Sequence, residues 1–467
     1  RELAGAEVEL VGLERRENRL KQALAAVDAE YDFVLIDCPP SLSMLTLNGL
    51  CAAHGVVIPM QCEYYALEGL SALVETIKRV VAHLNPSLQI EGIVRTMFDP
   101  RNSLTKDVSE QLQQHFGEKY KDLVPVINDL SKQGRIKMLY HNGAVKLETE
   151  FFAKQINKAF ELRIPLLATN TNSYRLLFGE NDGFPGCIAD VYAKVLVVKL
   201  YSKIWIPYLK DIIDSLIAVS GVETVVIRLS RKLQQDTSVT LEDGCVIYGS
   251  LDNQTIIFKE HGISFSANVI KGHKTGYFLD HRENRRRVGA LSAQKTVLDV
   301  FSYAGGFSVH ALANGAKQVT SLDISSQALD LAKANGLLNK HKGSHVTITG
   351  DAFAEMQTLI DKGTRFDIVV IDPPSFAKSK KEMAIAKKKY KQLAALGEKL
   401  TAKKGILVLA SCSSRVAAED FFKINTTTLD TKKRSYTVIK QTYHDIDHPV
   451  GFLEGAYLKC GYYQFSR

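Results

Sequence analysis

Five short motifs between residues 296 and 413 carry residue types that suit one chemistry. T-V-L-D-V-F runs into S-Y-A-G-G-F-S, so an apolar segment holding Asp299 opens into a turn, Ser302–Ser308, that contains Tyr303, Ala304 and Gly305. Glycines there let a ligand approach the backbone closely, and a following helix points its N–H groups at it. The spacing is not G-x-G-x-x-G, so the turn is no dinucleotide fingerprint. The second motif, S-L-D-I-S, ends on Asp323, where a carboxylate can accept from ribose hydroxyls. G-D-A-F places Asp351 and Ala352 where an adenine ring would lie. I-D-P-P-S-F (Asp372, Pro373, Pro374, Phe376) follows the carboxylate with two prolines. That turn is stiff and poor in backbone donors, exposes Asp372 and leaves a carbonyl to accept from a substrate amine. A-S-C-S-S brings Cys412 to the same rim. Each has a plainer reading: strand-end carboxylates in solvent, a simple turn, a small buried thiol. Their coincidence at consecutive strand ends favours a ligand cleft.

The elements that must position these residues alternate. Strands are predicted over Thr296–Phe301, Gln318–Asp323, His345–Thr349, Phe366–Ile371 and Gly405–Ser411, with helices between, notably Ser325–Asn335 and Lys387–Leu400. This predicts an α/β fold with a parallel, Rossmann-like sheet and a ligand at the carboxyl ends of its strands. Residues 148–262 read as a middle α+β domain. Its elements are helices Glu150–Leu162 and Tyr208–Val219, strands Lys194–Tyr201 and Thr224–Leu229, and a glycine-rich turn, Gly179–Gly186, between two further strands. The front reads as a partial doubly wound α/β fragment. Arg15–Val27 is helical, Tyr31–Asp37, Gly55–Pro59 and Ile90–Thr96 are buried parallel strands, and Ala66–Leu84 is an amphipathic helix. Between them, residues 120–147 form a junction with one short strand, Arg135–Tyr140.

A length of 467 residues predicts roughly three domains at about 100–200 residues each. With 45% hydrophobic and 24% charged residues, disordered and collagen-like classes are excluded. No apolar run approaches the ~18 residues of a membrane span. No signal peptide is visible, although the chain begins with Arg1 and not Met. Its seven cysteines are scattered and include no C-x-x-C pair. Reduced thiols, no metal site and a cytoplasmic location are therefore expected. Charge is uneven: residues 1–120 hold 11 Lys+Arg against 17 Asp+Glu, and the remainder 48 against 34. The basic body favours a polyanionic partner.

In the front segment, Asp37-Cys38-Pro39-Pro40-Ser41, Val56-Val57-Ile58-Pro59 and Glu63-Tyr64-Tyr65-Ala66-Leu67-Glu68-Gly69-Leu70 resemble the ParA/Soj-type partition ATPases over residues 1–119. In that family the carboxylate matching Asp37 lies beside the nucleotide's metal. No G-x-x-x-x-G-K-[ST] phosphate loop occurs in these residues, so ATP binding is not expected.

The motifs of residues 296–413 resemble the class I S-adenosylmethionine-dependent RNA methyltransferases, in particular the bacterial 23S rRNA cytosine-C5 methyltransferases of the large-subunit methyltransferase I type. G-H-K-T-G-Y-F-L-D-H-R (Gly272–Arg282), D-H-P-V with E-G-A-Y-L-K (Asp447–Lys459), and S-Y-R-L-L-F-G-E-N-D-G-F-P-G (Ser173–Gly186) extend the match to about residues 135–467. The resemblance implies S-adenosyl-L-methionine as cofactor and 23S ribosomal RNA as partner, with no membrane. It makes residues 148–262 an RNA-binding domain and 263–467 the methyltransferase domain. Ser302, Tyr303, Ala304 and Gly305 would line the methionine end, Asp323 would hold the ribose, and Asp351 and Ala352 would border the adenine. Asp299 would belong to the same cofactor site. Lys274, Thr275 and Tyr277 would close the pocket, with Asp280 and Arg282 fixing that segment. Asp372 would meet the cytosine beside Pro373, Pro374 and Phe376, and Cys412 would be the nucleophile. The family's front PUA-type domain is missing here save for Arg135–Tyr140 as its last strand. The fourth motif carries Ser375 and no second Cys, so the base that removes the C5 proton is unassigned.

The implied mechanism follows from cytosine itself. Its C5 is a poor nucleophile until a thiolate adds at C6. A proton or hydrogen bond from Asp372 at N3 favours that addition. Cys412 is then expected to be partly thiolate in a cationic or helix-N-terminal setting, and the base to be extruded. Two rivals remain: an RNA N-methyltransferase acting on guanine or adenine, which needs no Cys, and a ParA-like partition or adaptor protein or a nonfunctional chimera.

Overall fold

A computed structural model of the chain describes residues 9–10, 12–27, 31, 34–38, 43–61, 64–96, 147–377, 382–432, 434–452 and 455–466. The predicted strand Arg135–Tyr140 and nearly all of the 120–147 junction lie outside these residues. The chain divides into two compact units, residues 1–137 and 138–467.

In the first unit, α1 (Arg19–Leu24) and α2 (Met44–Ala52) precede β1 (Gly55–Gln61), α3 (Tyr64–His83) and β2 (Gln89–Thr96). Ser43 caps α2 by accepting from the Leu45 amide at 3.2 Å. β1 and β2 pair in parallel, so α3 is a crossover helix. Leu50, Ile58, Val74, Ile77, Val80 and Leu88 form the core beneath it. The predicted buried strand Tyr31–Asp37 is not found: the described positions there form no strand, and Leu35 is 95% exposed. A buried parallel strand needs a neighbour on its edge and cover on both faces. Among the described residues β1 has only β2 beside it.

The second unit carries two larger sheets. The first has the order β3-β4-β5-β6-β7: β3 (Ser173–Phe178), β4 (Cys187–Tyr192), β5 (Val195–Leu200), β6 (Thr224–Leu229) and β7 (Val246–Tyr248). Only β5 and β6 are parallel within it, joined across α5 (Leu209–Ser220). α4 (Thr149–Glu161) packs with α5, and Phe152, Ile156, Leu176, Trp205, Ile212 and Leu216 fill the space between helices and sheet. A hairpin of β8 (Thr255–Glu260) and β9 (Ile263–Asn268) follows.

The second sheet has seven strands in the order β12-β11-β10-β13-β14-β16-β15. After α6 (Arg282–Leu291), strands and helices alternate: β10 (Thr296–Val300), α7 (Gly306–Ala313), β11 (Gln318–Asp323), α8 (Ser326–Leu337), β12 (Ser344–Thr349), α9 (Ala352–Asp361), β13 (Phe366–Ile371), α10 (Met383–Leu400), β14 (Thr401–Ser411), α11 (Ala418–Asp430), β15 (Tyr436–Thr442) and β16 (Lys459–Phe465). Successive side chains on a strand face opposite ways. Leu298 and Val300 pack with Phe366, Leu393 and Phe421 on one face. Val297 packs with Val288, Phe307, Leu312 and Val319 on the other. The fold is thus α/β with a Rossmann-like sheet, but the sheet is mixed and not wholly parallel. β16 runs antiparallel to both β14 and β15, because the chain returns directly from β15 without a crossover helix. Strand order reverses between β10 and β13, and in an open α/β sheet the ligand crevice lies outside the carboxyl ends of the strands at such a switch point.

Candidate active site

The crevice is assembled by backbone contacts between neighbouring strand ends. The Asp372 amide donates to the Val300 carbonyl at 3.3 Å, which sets the D-P-P turn beside the turn that follows β10. Asp323 Oδ2 accepts from the Tyr303 amide at 2.9 Å and Oδ1 from the Ser325 amide at 2.9 Å. The Gly350 amide donates to the Asp323 carbonyl at 3.0 Å, which brings Asp351 alongside. Asp351 then caps α9 through the Ala354 amide at 3.0 Å, and Ala352 is buried at the start of that helix.

The turn after β10 is built for close approach. Tyr303 and Gly305 both take positive φ, 45° and 77°. A Cβ on Gly305 would sit 2.7 Å from the Ala332 Cβ on α8, so only glycine fits. Ala304 is buried against that helix. Ser302 Oγ is buried and has no hydrogen-bond partner among the described residues. The hydroxyl of Tyr277 is in the same condition and lies 3.0 Å from where a Cβ on Gly306 would be. Two unpaired buried hydroxyls beside a glycine turn fit the polar methionine end of S-adenosylmethionine, since such groups cost free energy until partnered.

Asp299 lies beneath this turn, 1% exposed. Its Oδ2 accepts from the Ser308 amide at 3.0 Å and the Ser308 hydroxyl at 2.7 Å, which holds the start of α7 in place. Burial pushes its carboxyl up to about 7 against those hydrogen bonds, with Asp372 and Asp323 adding to the rise.

The segment before α6 forms one wall. Thr275 is buried and spends its hydroxyl on Asp190 Oδ2 at 2.5 Å and the Tyr192 hydroxyl at 3.0 Å, so it anchors the wall to β4. Asp190 in turn holds Arg175 through two bonds of 2.8 and 2.9 Å. The Lys274 ammonium stands over the Phe278 ring at 4.5 Å. Phe278 and Tyr303 meet edge to face at 5.4 Å. Asp280 accepts from the Tyr457 hydroxyl at 2.9 Å. Arg282, wholly buried, donates to Asp445 at 2.9 Å, Asp447 at 2.6 Å and the Ser173 carbonyl at 3.1 Å.

Cys412 follows β14, and its thiol lies 3.8 Å from the Pro373 carbonyl. The nucleophile candidate and the D-P-P turn therefore share one rim. Pro373 is buried and Pro374 exposed. Phe376 leans on Tyr390 at 5.4 Å and Phe353 at 6.5 Å. The expectation of a partly ionised thiol is corrected. Burial first, then Asp372 and Asp280, push the Cys412 thiol up to about 12 against the charge of Lys274. At neutral pH Cys412 is a thiol donating to a carbonyl.

Two residues of this site carry no expectation from the motifs. His281 Nε2 stands 3.3 Å from Asp372 Oδ1. It sits inside D-H-R, between Asp280 and Arg282, and nothing local marks it. Lys459, at the start of β16, is fully buried and its ammonium grips the carbonyls of Ser413, Val416 at 2.6 Å and Tyr457 at 3.1 Å. It thereby ties down the loop that carries Cys412. Burial pulls its pKa down to about 8. Among the described residues no group of side chains is arranged to hold a metal ion, and no helix is long and apolar enough to cross a membrane.

Residues 175–444 match the family model of the S-adenosylmethionine-dependent methyltransferases, and residues 1–90 match that of the AAA domain. A ribosomal RNA large subunit methyltransferase from Deinococcus radiodurans is 39% identical over 71% of this chain and 83% of its own length. The ribosomal RNA large subunit methyltransferase I of Vibrio vulnificus is 31% identical over 83% of this chain and 97% of its own. A solved structure described as a SAM-dependent methyltransferase from Streptococcus mutans shares the fold, with a TM-score of 0.60 and 24% identity over 69% of this chain and 83% of that one. A stretch of 124 residues is 62% identical to part of an uncharacterized protein from Pseudomonas putida, covering 27% of this chain and 47% of that protein. With the glycine turn, the D-P-P rim and these matches together, the chain belongs to the ribosomal RNA large subunit methyltransferases, enzymes that depend on S-adenosylmethionine.

Proposed function

We propose that this enzyme methylates carbon 5 of a cytosine in 23S ribosomal RNA through a covalent bond between Cys412 and C6. The observation that carries the reading is the 3.8 Å approach of the Cys412 thiol to the Pro373 carbonyl. It supports the reading because a thiol then shares one rim with the D-P-P turn and its aspartate, beside the strand end that carries the glycine turn. The relatives' names supply the substrate class, and the basic body of the chain suits a polyanion.

Bound S-adenosylmethionine supplies an electrophilic methyl group. The chain's residues do the rest. Ser302 and Tyr277 offer their unpaired hydroxyls to the methionine end, Asp323 to the ribose, and Asp351 and Ala352 border the adenine. Lys274, Gly305 and Tyr303 shape the pocket, and Asp299 and Thr275 hold its walls. The cytosine enters extruded, with its exocyclic amine donating to the Pro373 carbonyl. Cys412 loses its proton to solvent, and the sulfur electron pair forms the bond to C6. Asp372 delivers a proton to N3 as electrons move there from the ring. C5, now enamine-like, takes the methyl group. Loss of the C5 proton to solvent restores the double bond and expels the thiolate, and N3 returns its proton to Asp372.

We read residues 148–262 as the RNA-binding domain and 263–467 as the methyltransferase domain, with 1–119 an appended ParA-like fragment. An RNA substrate of this kind places the enzyme in the cytoplasm. The high thiol pKa favours one second reading, methylation of an exocyclic or ring nitrogen with Cys412 as a passive wall. Mass spectrometry of ribosomal RNA incubated with enzyme and methyl donor separates them. 5-Methylcytosine is expected, and an N-methylated purine would overturn the first reading.

A further inference from the structure

We propose that His281 is a positioning residue that keeps Asp372 supplied with a proton, so that the imidazole–carboxylate pair and not the carboxylate alone acts on the target base. The inference rests on the covalent reading above and deepens it.

His281 is 5% exposed and its two nitrogens face two different groups. Nε2 stands 3.3 Å from Asp372 Oδ1. Nδ1 meets the side-chain nitrogen of Asn284 at 3.1 Å. The Phe307 ring closes a further side, edge to face at 5.6 Å. With the amide nitrogen of Asn284 donating to Nδ1, the imidazole proton lies on Nε2, which is buried 3.3 Å from Asp372 Oδ1 and makes no hydrogen bond to any described residue. The amide oxygen of Asn284 accepts from the Thr442 hydroxyl at 2.6 Å and the Tyr462 hydroxyl at 2.9 Å. Hydroxyls accept as well as donate. When His281 takes a second proton, Asn284 can turn over, present its oxygen to Nδ1–H and donate to the same two hydroxyls. The amide and its two hydroxyl neighbours thus satisfy both charge states of a buried imidazole, which a fixed donor could not.

The charges facing His281 favour that second proton. Asp372 comes from the end of β13 and Asp280 from the preceding residue, while Arg285 on α6 and His444 after β15 oppose it. Burial pulls the imidazole down, but the carboxylates prevail and its pKa is raised. Asp372 itself faces Cys412, Asp299, Tyr390 and Cys460.

The step balances as follows. The thiolate electron pair forms the S–C6 bond and the ring electrons move to N3. His281 Nε2 passes its proton to the Asp372 carboxylate and Asp372 passes one on to N3, leaving a neutral imidazole and an ionised carboxylate. On product release N3 returns its proton along the same path.

The test uses the full chain, S-adenosylmethionine and a large-subunit ribosomal RNA transcript containing 5-fluorocytidine, whose fluorine blocks release and traps the adduct. The rate of adduct formation in the unaltered enzyme should rise with pH and bend downward once His281 loses its second proton. His281→Gln should slow it at least tenfold at pH 7 and abolish the bend. Asn284→Asp, which favours the imidazolium, should move the bend to higher pH. A His281→Gln enzyme with an unaltered rate and bend would overturn the proposal while leaving the covalent reading intact. If His281→Gln loses cofactor binding through misfolding, an unmoved bend in Asn284→Asp overturns it instead. Absence of any adduct in the unaltered enzyme would overturn the covalent reading, and the same bend would then be sought in methyl transfer itself.

Discussion

The Arg282 guanidinium donates to the Asp447 carboxylate at 2.6 Å, and both side chains are completely shielded from solvent although they lie 165 residues apart in the chain. The same carboxylate oxygen accepts from the Arg175 amide at 2.9 Å, and the Asp447 carbonyl accepts from Arg163 at 3.3 Å. One aspartate thus joins α6, β3 and Arg163, two residues beyond the end of α4. Removing one partner of a buried pair costs about 3–5 kcal/mol because the other charge is left unpaired. Arg282→Met should therefore lower the unfolding free energy by about that amount, read as a lower midpoint in urea.

The same pair predicts an acid limb. Burial alone would raise the Asp447 carboxyl, but Arg282 and His448 hold it well below the usual carboxylate range. A depressed carboxylate contributes stability that is complete above its unfolded pKa of about 4 and lost as pH falls below it. Stability followed by circular dichroism should fall more steeply below pH 4 in the unaltered protein than in Asp447→Asn.

Cys412→Ala should abolish methyl transfer to RNA while calorimetric binding of S-adenosylmethionine survives, because the thiol touches the D-P-P rim and not the glycine turn. Full activity would sink the covalent reading.

A thiol pushed up to about 12 makes the nucleophile scarce at neutral pH. The thiolate fraction grows about tenfold per pH unit below that value. Single-turnover methylation should climb by about that factor between pH 5.5 and 6.5. A flat profile there would show that thiol ionisation does not limit the reaction.

Gly305→Ala forces a side chain into positive φ and drives its Cβ to 2.7 Å from Ala332. The strain is about 1–3 kcal/mol. Cofactor affinity should fall with little change in the affinity for RNA, as read by separate titrations of each.

Much of this architecture was legible because the runs T-V-L-D-V, F-D-I-V-V-I and G-I-L-V-L-A-S are strands buried on both faces and bounded by turn residues. β15 was not, since its middle residues are exposed and carry no apolar face. The direction of β16 was not, since hydrophobicity fixes that a strand is buried and says nothing of which way it runs. Tyr31–Asp37 has the composition of a buried strand, but among the described residues no strand pairs with it. At the site, the glycine turn, Asp323 and Asp372 could be read as strand ends. The pairing of His281 with Asp372 could not, because proximity there is made by tertiary folding. The ionisation of Cys412 likewise depends on burial and on neighbours that no spacing rule reports.

β16 lies between β14 and β15, and β15 reaches the sheet through it alone among the described strands. Pairing at this edge is therefore all-or-none: a substitution that ejects β16 also sets β15 loose. Lys459 leaves with it, and the loop that carries Cys412 loses its anchor while the glycine turn after β10 stays folded. Damage to this one edge should yield a protein that still holds its methyl donor yet has lost the power to use it.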